Sequence, residues 1–483
     1  MLQRFFTDNA RLTGRSVSSI IVAFISAVFL IAQMHVAEAA STLDNSAKNP
    51  ETVDSQLSMS DVFIGLITNQ SSSVENDLAI IRDNWHPGMV IMTIETIQFS
   101  QNNTVRNGLL NVMEEMTGQT LGLNMNAWYQ WLWARDEQRH PQYASFKSEL
   151  YAYLDPRFAA YFNEERQTRI RLDEIRWGGV AQDGIPPLRN PEMISADDAD
   201  YLDDDNIVFG VAIDGDVRAY PKRILAWHEM FVDEIGGTRY AGVYCTLCGA
   251  LILYETRYEN RDHDLGTSGF LYRSNKVMYD KATQSLWNTT WGEPVVGPLV
   301  GEDIQLKRSY LVTTTWGEWK RRHPDTTVLS LNTGHQRDYG EGVAYRDYFA
   351  TDELMFAVPS SDERLKNKDE ILALQFPDVT SERLAISASF LEKNTVFQHS
   401  LGRQEFVVLT DTSGANRVYE TQGVTFSEYD GNSLLLDAEG QQWTLSEGQL
   451  RMSNGQQSLE RLPAHRAFWF GWVASWQDTQ LIM

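Results

Sequence analysis

Around residue 165 the spacing of apolar residues changes from recurrence every three or four positions to alternation, so one chain must build two kinds of layer. Before that point Val74, Leu78, Ile81 and Trp85 share one helical face that stops at His86-Pro87-Gly88. Leu109, Val112, Met113 and Met116 share another that stops at Thr117-Gly118. Asp155-Pro156 supplies an N-cap and first position for a helix through RFAAYF, and AWYQWLWARDEQ brings three tryptophans onto one more. Short helix pairs of this kind stack side by side.

After residue 165 the alternating stretch VFGVAIDGDVRAYP turns at Asp214-Gly215, and EMFVDEIGGTRYAGVYC turns at Gly236-Gly237; both read as β-hairpins. Between Phe406 and Leu445 the turns TSGAN, YDGN and AEGQ separate further short strands. The expected fold class is α+β: a helical segment at 61–165, then a predominantly antiparallel β domain made of two related units, 166–350 and 351–483. An internal echo argues for the duplication. MYDKATQSLW is followed by TTTWGEWKRRHPDT, and LLLDAEGQQW is followed by AFWFGWVASWQDT, with Trp316 and Trp319 matching Trp469 and Trp472 at one offset. The helical stretch MTGQTLGLNMNAWYQWLW resembles repeats of the HEAT type, which implies interlayer packing for its tryptophans and a surface on which a protein partner docks.

The formal net charge of −24 and the absence of a Lys/Arg run exclude nucleic acid as a partner. Arg4, Arg11 and Arg15 precede an apolar stretch from Ile20 to Ala32, and Ala37 and Ala39 give a small-x-small cleavage pattern. Residues 1–40 therefore read as an export signal and 41–60 as a flexible leader, placing the mature chain in the periplasm or outside the cell without a membrane span. In such a compartment a pair of thiols is oxidised unless a metal or a reductant holds it.

The chain's two cysteines, Cys245 and Cys248, stand in GVYCTLCGA. Their spacing suits half of a zinc knuckle, a copper(I) clip, a redox dithiol or a small disulfide staple. A metal needs further donors, for which His228, His263 and Met278 are the candidates, with His228 first because it lies beside the hairpin that delivers the cysteines. The flanking strands RYAGVY and ALILYE differ from the helix N-terminus on which redox dithiols usually sit. Haem attachment is excluded because Gly249 stands where histidine is required. WHEM followed by YCTLC is similar to a zinc-deaminase signature, but the spacing of His228 and Glu229 fails. Ser268 reads as a turn serine or a nucleophile, and Asp280 as a turn-capping aspartate.

The order of DGIPPLRNPEMISADDADYLDDDNIVFGVAIDGDVRAYP, YCTLCGALILYE, SGFLYRSNKVMYDKATQSLW, GPLVG, TTTWGEWKRRHPDTTVLS and AFWFGW resembles the bacterial domain-of-unknown-function family numbered 3179 over about residues 180–480. Thr246 stands where that family often has proline. The resemblance draws attention to His228, Cys245, Cys248, Ser268, Asp280 and Trp287 without assigning them roles. The sequence thus leads to an exported protein binding copper or zinc through the cysteines and a nearby histidine. A scaffold with a structural disulfide and a thiol oxidoreductase are the alternatives.

Overall fold

The computed structural model describes residues 58–483 apart from 137, 164 and 377–381; the expected export signal and nearly all of the leader lie outside these residues. Six helices, Met59–Thr68, Val74–Asp83, Met89–Phe99, Asn103–Thr117, Met125–Trp133 and Tyr143–Ala152, form the first layer. Helix Asn103–Thr117 ends on Gly118 in the left-handed region, as its sequence stop implies, but Met116 faces outward and is exposed. Asp155 caps through its side chain, yet Pro156–Phe158 forms only a 3-10 turn before the short helix Ala159–Phe162. Trp128 and Trp133 are buried in the helical core. Among the described residues no helix is long and apolar enough to cross a membrane.

One buried ion pair fastens the helices to the β domain. Lys147 Nζ lies 2.7 Å from Glu95 Oε1, donates to the Tyr143 hydroxyl at 3.1 Å and reaches the carbonyl of Ile175 at 2.9 Å, on the first β-strand, Ile175–Trp177. Such a charge is tolerated inside because each donor has a partner.

The β domain is a duplication. In the first unit strands Val312–Thr315, Ile207–Ile213, Asp216–Pro221 and Thr327–Leu329 lie side by side, and Met193–Ser195 extends the edge. In the second, Ala464–Phe468, Glu370–Leu374, Leu384–Ser387 and Gln480–Ile482 repeat that order. In both units the strand after the tryptophan-bearing helix, Thr327–Leu329 or Gln480–Ile482, pairs in parallel while its companions are antiparallel. The helices Trp316–Arg322 and Trp469–Ser475 match bond for bond. Trp319 Nε1 donates to Thr326 Oγ1 at 2.9 Å, and Trp472 Nε1 to Thr479 Oγ1 at 2.9 Å. The N–H of Trp316 reaches the carbonyl of Asn206, and that of Trp469 the carbonyl of Asp369. The tryptophan echo thus records a repeated helix seat: a buried indole N–H needs an acceptor, and the threonine seven residues on supplies it.

Each unit also carries a three-stranded meander, Met230–Ile235, Thr238–Cys245 and Ala250–Glu255 in the first, Val396–Leu401, Gln404–Thr410 and Asn416–Glu420 in the second. Asp214-Gly215 and Gly236-Gly237 both have two positive φ angles, as two-residue hairpins require. The last turn of each meander meets the other unit. From the first, the carbonyl of Cys248 accepts the N–H of Phe468 at 2.7 Å. From the second, Ser413 Oγ lies 3.2 Å from Thr314 Oγ1 and Asp411 Oδ2 lies 3.5 Å from Arg322.

The second turn is stiffened by charge. Arg417, fully buried, pairs with Asp411 at 2.7 Å and Glu447 at 2.8 Å, and Arg461 joins Glu447 at 3.2 Å. Replacing Arg417 with Met leaves two buried carboxylates short of a partner. The expected loss is about 3–5 kcal/mol in urea unfolding; a change below about 1 kcal/mol contradicts the role given to this cluster.

Candidate functional site

Cys245 ends one strand, Cys248 closes the turn, and Ala250 pairs back across to Cys245. The N–H of Cys248 donates to the carbonyl of Cys245 at 3.1 Å, so the cysteines are the first and last residues of a β-turn. Gly249 follows at φ 61°, and a Cβ there would lie 3.0 Å from the Phe468 ring. Both the backbone angle and the neighbour call for glycine. Both cysteines are buried and no disulfide joins them.

The second unit forms the wall behind Cys248. A Cβ on Gly471 would stand 2.9 Å from Cys248 Cβ, so the absence of a side chain in the second tryptophan helix makes room for the cysteine. The Cys248 thiol donates to Asn275 Oδ1 at 3.0 Å, and Asn275 in turn donates to the Gly471 carbonyl at 3.0 Å. Asn275 follows the tight turn Arg273-Ser274, whose two residues have φ of 49° and 64°. One amide therefore ties the first unit's turn, its neighbouring hairpin and the second unit's helix together.

On the other side Cys245 faces a cavity of ≈ 50 Å³, bordered by Glu229, Thr246, Lys276, Tyr345, Phe270 and Phe356. Glu229 Oε2 and Lys276 Nζ are 2.5 Å apart, both groups largely buried. Glu229 is held in the left-handed region at φ 55° as the cap of helix Lys222–His228. Its N–H bonds the Leu225 carbonyl and its own carbonyl accepts from Tyr244. The Tyr345 hydroxyl approaches Glu229 Oε1 at 3.5 Å.

The two thiols are unequal. Burial opposes ionising Cys245, but the hydrogen bond from Cys248 and the backbone N–H groups of Lys276 and Cys248 outweigh it and hold this thiol below its usual value. Burial, then the hydrogen bond to Cys245 and its negative charge, push Cys248 well above. The backbone N–H groups at Cys245 favour its charged form.

The remaining sequence candidates lie elsewhere. His228 is fully buried with Nδ1 2.8 Å from the Pro186 carbonyl and Nε2 2.6 Å from the Tyr339 hydroxyl. The carbonyl can only accept, so Nδ1 carries the proton and Nε2 takes the tyrosine's. His228 thus turns no free nitrogen toward the sulfurs. Its next residue, Glu229, is the one that faces Cys245. His263 Nδ1 bonds Asp280 Oδ2 at 2.8 Å, and His263 packs on Trp287 in the same core as Met278. Asp280 Oδ1 caps the turn by accepting from Ala282 and Thr283. In the second unit Asp437 caps likewise, and its other oxygen accepts from Trp443 Nε1 at 2.9 Å; in the first, His263 has taken that oxygen from Trp287. Ser268 Oγ donates to the Val277 carbonyl at 2.6 Å and is committed to the strand bulge beside Gly269.

A family model described as a protein of unknown function (DUF3179) matches residues 182–479. The chain belongs to this family. No curated protein and no solved structure matches it. The DUF3179 match begins beyond the six helices and contains both cysteines, Glu229, Asn275, Lys276 and Gly471, while Val180 of the cavity wall lies just before it.

Sequence reasoning missed Glu229, Asn275, Lys276, Tyr345, His465 and Gly471. His465 lines a second, smaller space of ≈ 10 Å³ with Cys245, Cys248 and Asn275. Asn275, Lys276 and Gly471 sit inside the quoted motifs SNKVMYD and AFWFGW, but nothing in those strings announces that they converge on a turn far away in the chain. Among the described residues, no group of three or more His, Cys, Asp or Glu side chains is placed to hold a metal ion.

Gly471→Ala forces a methyl onto Cys248 and is expected to cost about 1–3 kcal/mol in chemical unfolding; an unchanged midpoint refutes the close packing. Burial lowers His228 to about 4, and burial with the Arg308 charge lowers His465 to about 3, from 6.5. As pH falls below 6.5 the unfolded chain gains protons on these rings before the folded chain does, so stability declines toward pH 4. Urea midpoints across that window are expected to fall less steeply in His465→Asn; identical slopes contradict it.

Proposed function

We propose that Cys245 and Cys248 form a reversible dithiol–disulfide centre, with Cys245 as the attacking sulfur and Cys248 as the resolving one. The observation that carries this reading is positional: two unbonded thiols close one β-turn, Cys245 borders a cavity, and Cys248 is clamped behind it by Asn275. The ends of a β-turn lie within about 7 Å, the separation up to which a disulfide can form. The lowered Cys245 and raised Cys248 agree with the assignment of roles. An export signal at residues 1–40 would put the centre where the disulfide form persists.

In exchange with a disulfide R–S–S–R′, the Cys245 thiolate bonds R–S and releases R′S⁻. Cys248 then attacks Cys245, releasing R–S⁻, and its proton passes to a released thiolate. Two protein thiols become one disulfide while one external disulfide becomes two thiols.

The second reading is a soft-metal clip on the same sulfurs, favoured by the small space they share with His465, which burial and Arg308 keep neutral. Two thiolates suit copper(I), whereas zinc takes four donors. The full chain, isolated as matured in the cell, decides between them. The proposal expects less than stoichiometric copper or zinc, and a 245–248 bond that diamide closes and dithiothreitol opens, read as a two-hydrogen mass change. Stoichiometric metal that resists dialysis and is lost in Cys245→Ser overturns it in favour of the clip.

A further inference from the structure

We infer that the oxidant this centre takes is a small hydroperoxide, hydrogen peroxide or a short alkyl hydroperoxide, rather than the disulfide of another protein; this rests on the dithiol reading above. Cys245 is 4% exposed and Cys248 1%, so an external sulfur carried on a folded partner has no surface on which to meet either. What Cys245 does border is a cavity of ≈ 50 Å³, the room of a few water molecules.

The lining of that space is suited to a small polar guest. Thr246, fully buried between the two cysteines, lines it, and its hydroxyl has no hydrogen-bond partner. A buried hydroxyl is ordinarily satisfied, so an orphan beside a cavity points to a guest that bonds it. Lys276 lies across the same space with its ammonium against Glu229, and the Tyr345 hydroxyl is close by. Val180, Ile185, Phe270, Leu271 and Phe356 make most of the remaining wall apolar, and the Thr267 hydroxyl there is already bonded to the Ile185 carbonyl. A hydroperoxide needs this combination: a thiolate to attack one oxygen, and donors to receive the negative charge developing on the other.

The electrons and atoms balance. The Cys245 thiolate attacks the terminal oxygen of R–O–O–H, the O–O bond breaks, and the departing RO⁻ takes a proton from a neighbouring donor to leave as ROH. Cys245 is now a sulfenic acid. The Cys248 sulfur attacks it, the S–O bond breaks, and the hydroxyl leaves with the Cys248 proton as water. Two thiols and one hydroperoxide give one disulfide, one alcohol (or water) and one water.

The test uses the reduced full chain mixed with one equivalent of hydrogen peroxide and, in parallel, of glutathione disulfide or diamide. The expected result is a 245–248 disulfide forming about ten-fold or more faster with peroxide than free cysteine is oxidised at the same pH. Glutathione disulfide is expected to react no faster than it does with a free thiol. In Cys248→Ser, peroxide should leave a sulfenic acid at Cys245, read as one added oxygen by mass and trapped by a cyclic 1,3-diketone once the chain is unfolded. Peroxide reacting no faster than with free cysteine, while diamide still closes the bond, overturns the inference and leaves the dithiol centre standing. Fast reaction with glutathione disulfide overturns the size selection. Failure of every oxidant to join the two sulfurs removes both readings.

Discussion

Each β unit of this DUF3179 protein presses the last turn of its meander onto the tryptophan-bearing helix region of the other, and the rest of the architecture is arranged around that exchange. The contact makes the two copies one body. It also creates two interface turns that hold matching places in the two units and differ in chemistry. In the second turn Asp411 gathers backbone N–H groups and the buried Arg417, and the result is a buried charge cluster. In the first the same location holds two thiols, and the charge is set back on Glu229 and Lys276. The duplicated scaffold holds a charge cluster at one turn and two thiols at the other.

The exchange explains why the site is buried and closely fitted. The sulfurs are enclosed by a strand end, a left-handed hairpin and a helix from the opposite unit, and Gly471 yields the space for Cys248. Burial alone would keep both thiols protonated. The inequality between them arises because backbone N–H groups point at Cys245, while the Cys248 thiol spends its one proton on Asn275. The buried Lys276–Glu229 pair brings charge into the cavity without leaving a lone ion in the interior.

Much of this was legible from residue patterns. The change of period at residue 165, the hairpins at Asp214-Gly215 and Gly236-Gly237, and the strand–turn–strand setting of the cysteines follow from local chemistry, and the structure has them. The tryptophan echo was readable because a buried indole needs an acceptor at a fixed distance along the chain, so both copies kept Trp and Thr together. What sequence could not supply was partnership across units. His228 stood out as the histidine beside the hairpin, but its ring is bonded to Pro186 and Tyr339, and the residue after it reaches the cavity. The strained cap at Glu229 reverses the direction of the chain there, and a sequence does not display a φ angle. His465 and Gly471 come from the second unit, more than two hundred residues after the cysteines, and only the docked pair of units brings them to the sulfurs. Helix Asn103–Thr117 shows a smaller limit: Met116 falls near the apolar face by count, yet no neighbouring element covers that end of it.

The central claim is that the two sulfurs cycle between thiol and disulfide instead of serving as a staple. The most direct measurement is the reduction potential of the 245–248 bond in the folded chain, from equilibrium with graded dithiothreitol buffers and mass analysis of each state. A reversible centre is expected above about −300 mV, in the range of labile and exchanging disulfides, with the chain folded at both ends of the titration. A potential below about −300 mV, or loss of the fold on reduction, marks a structural disulfide and contradicts the account.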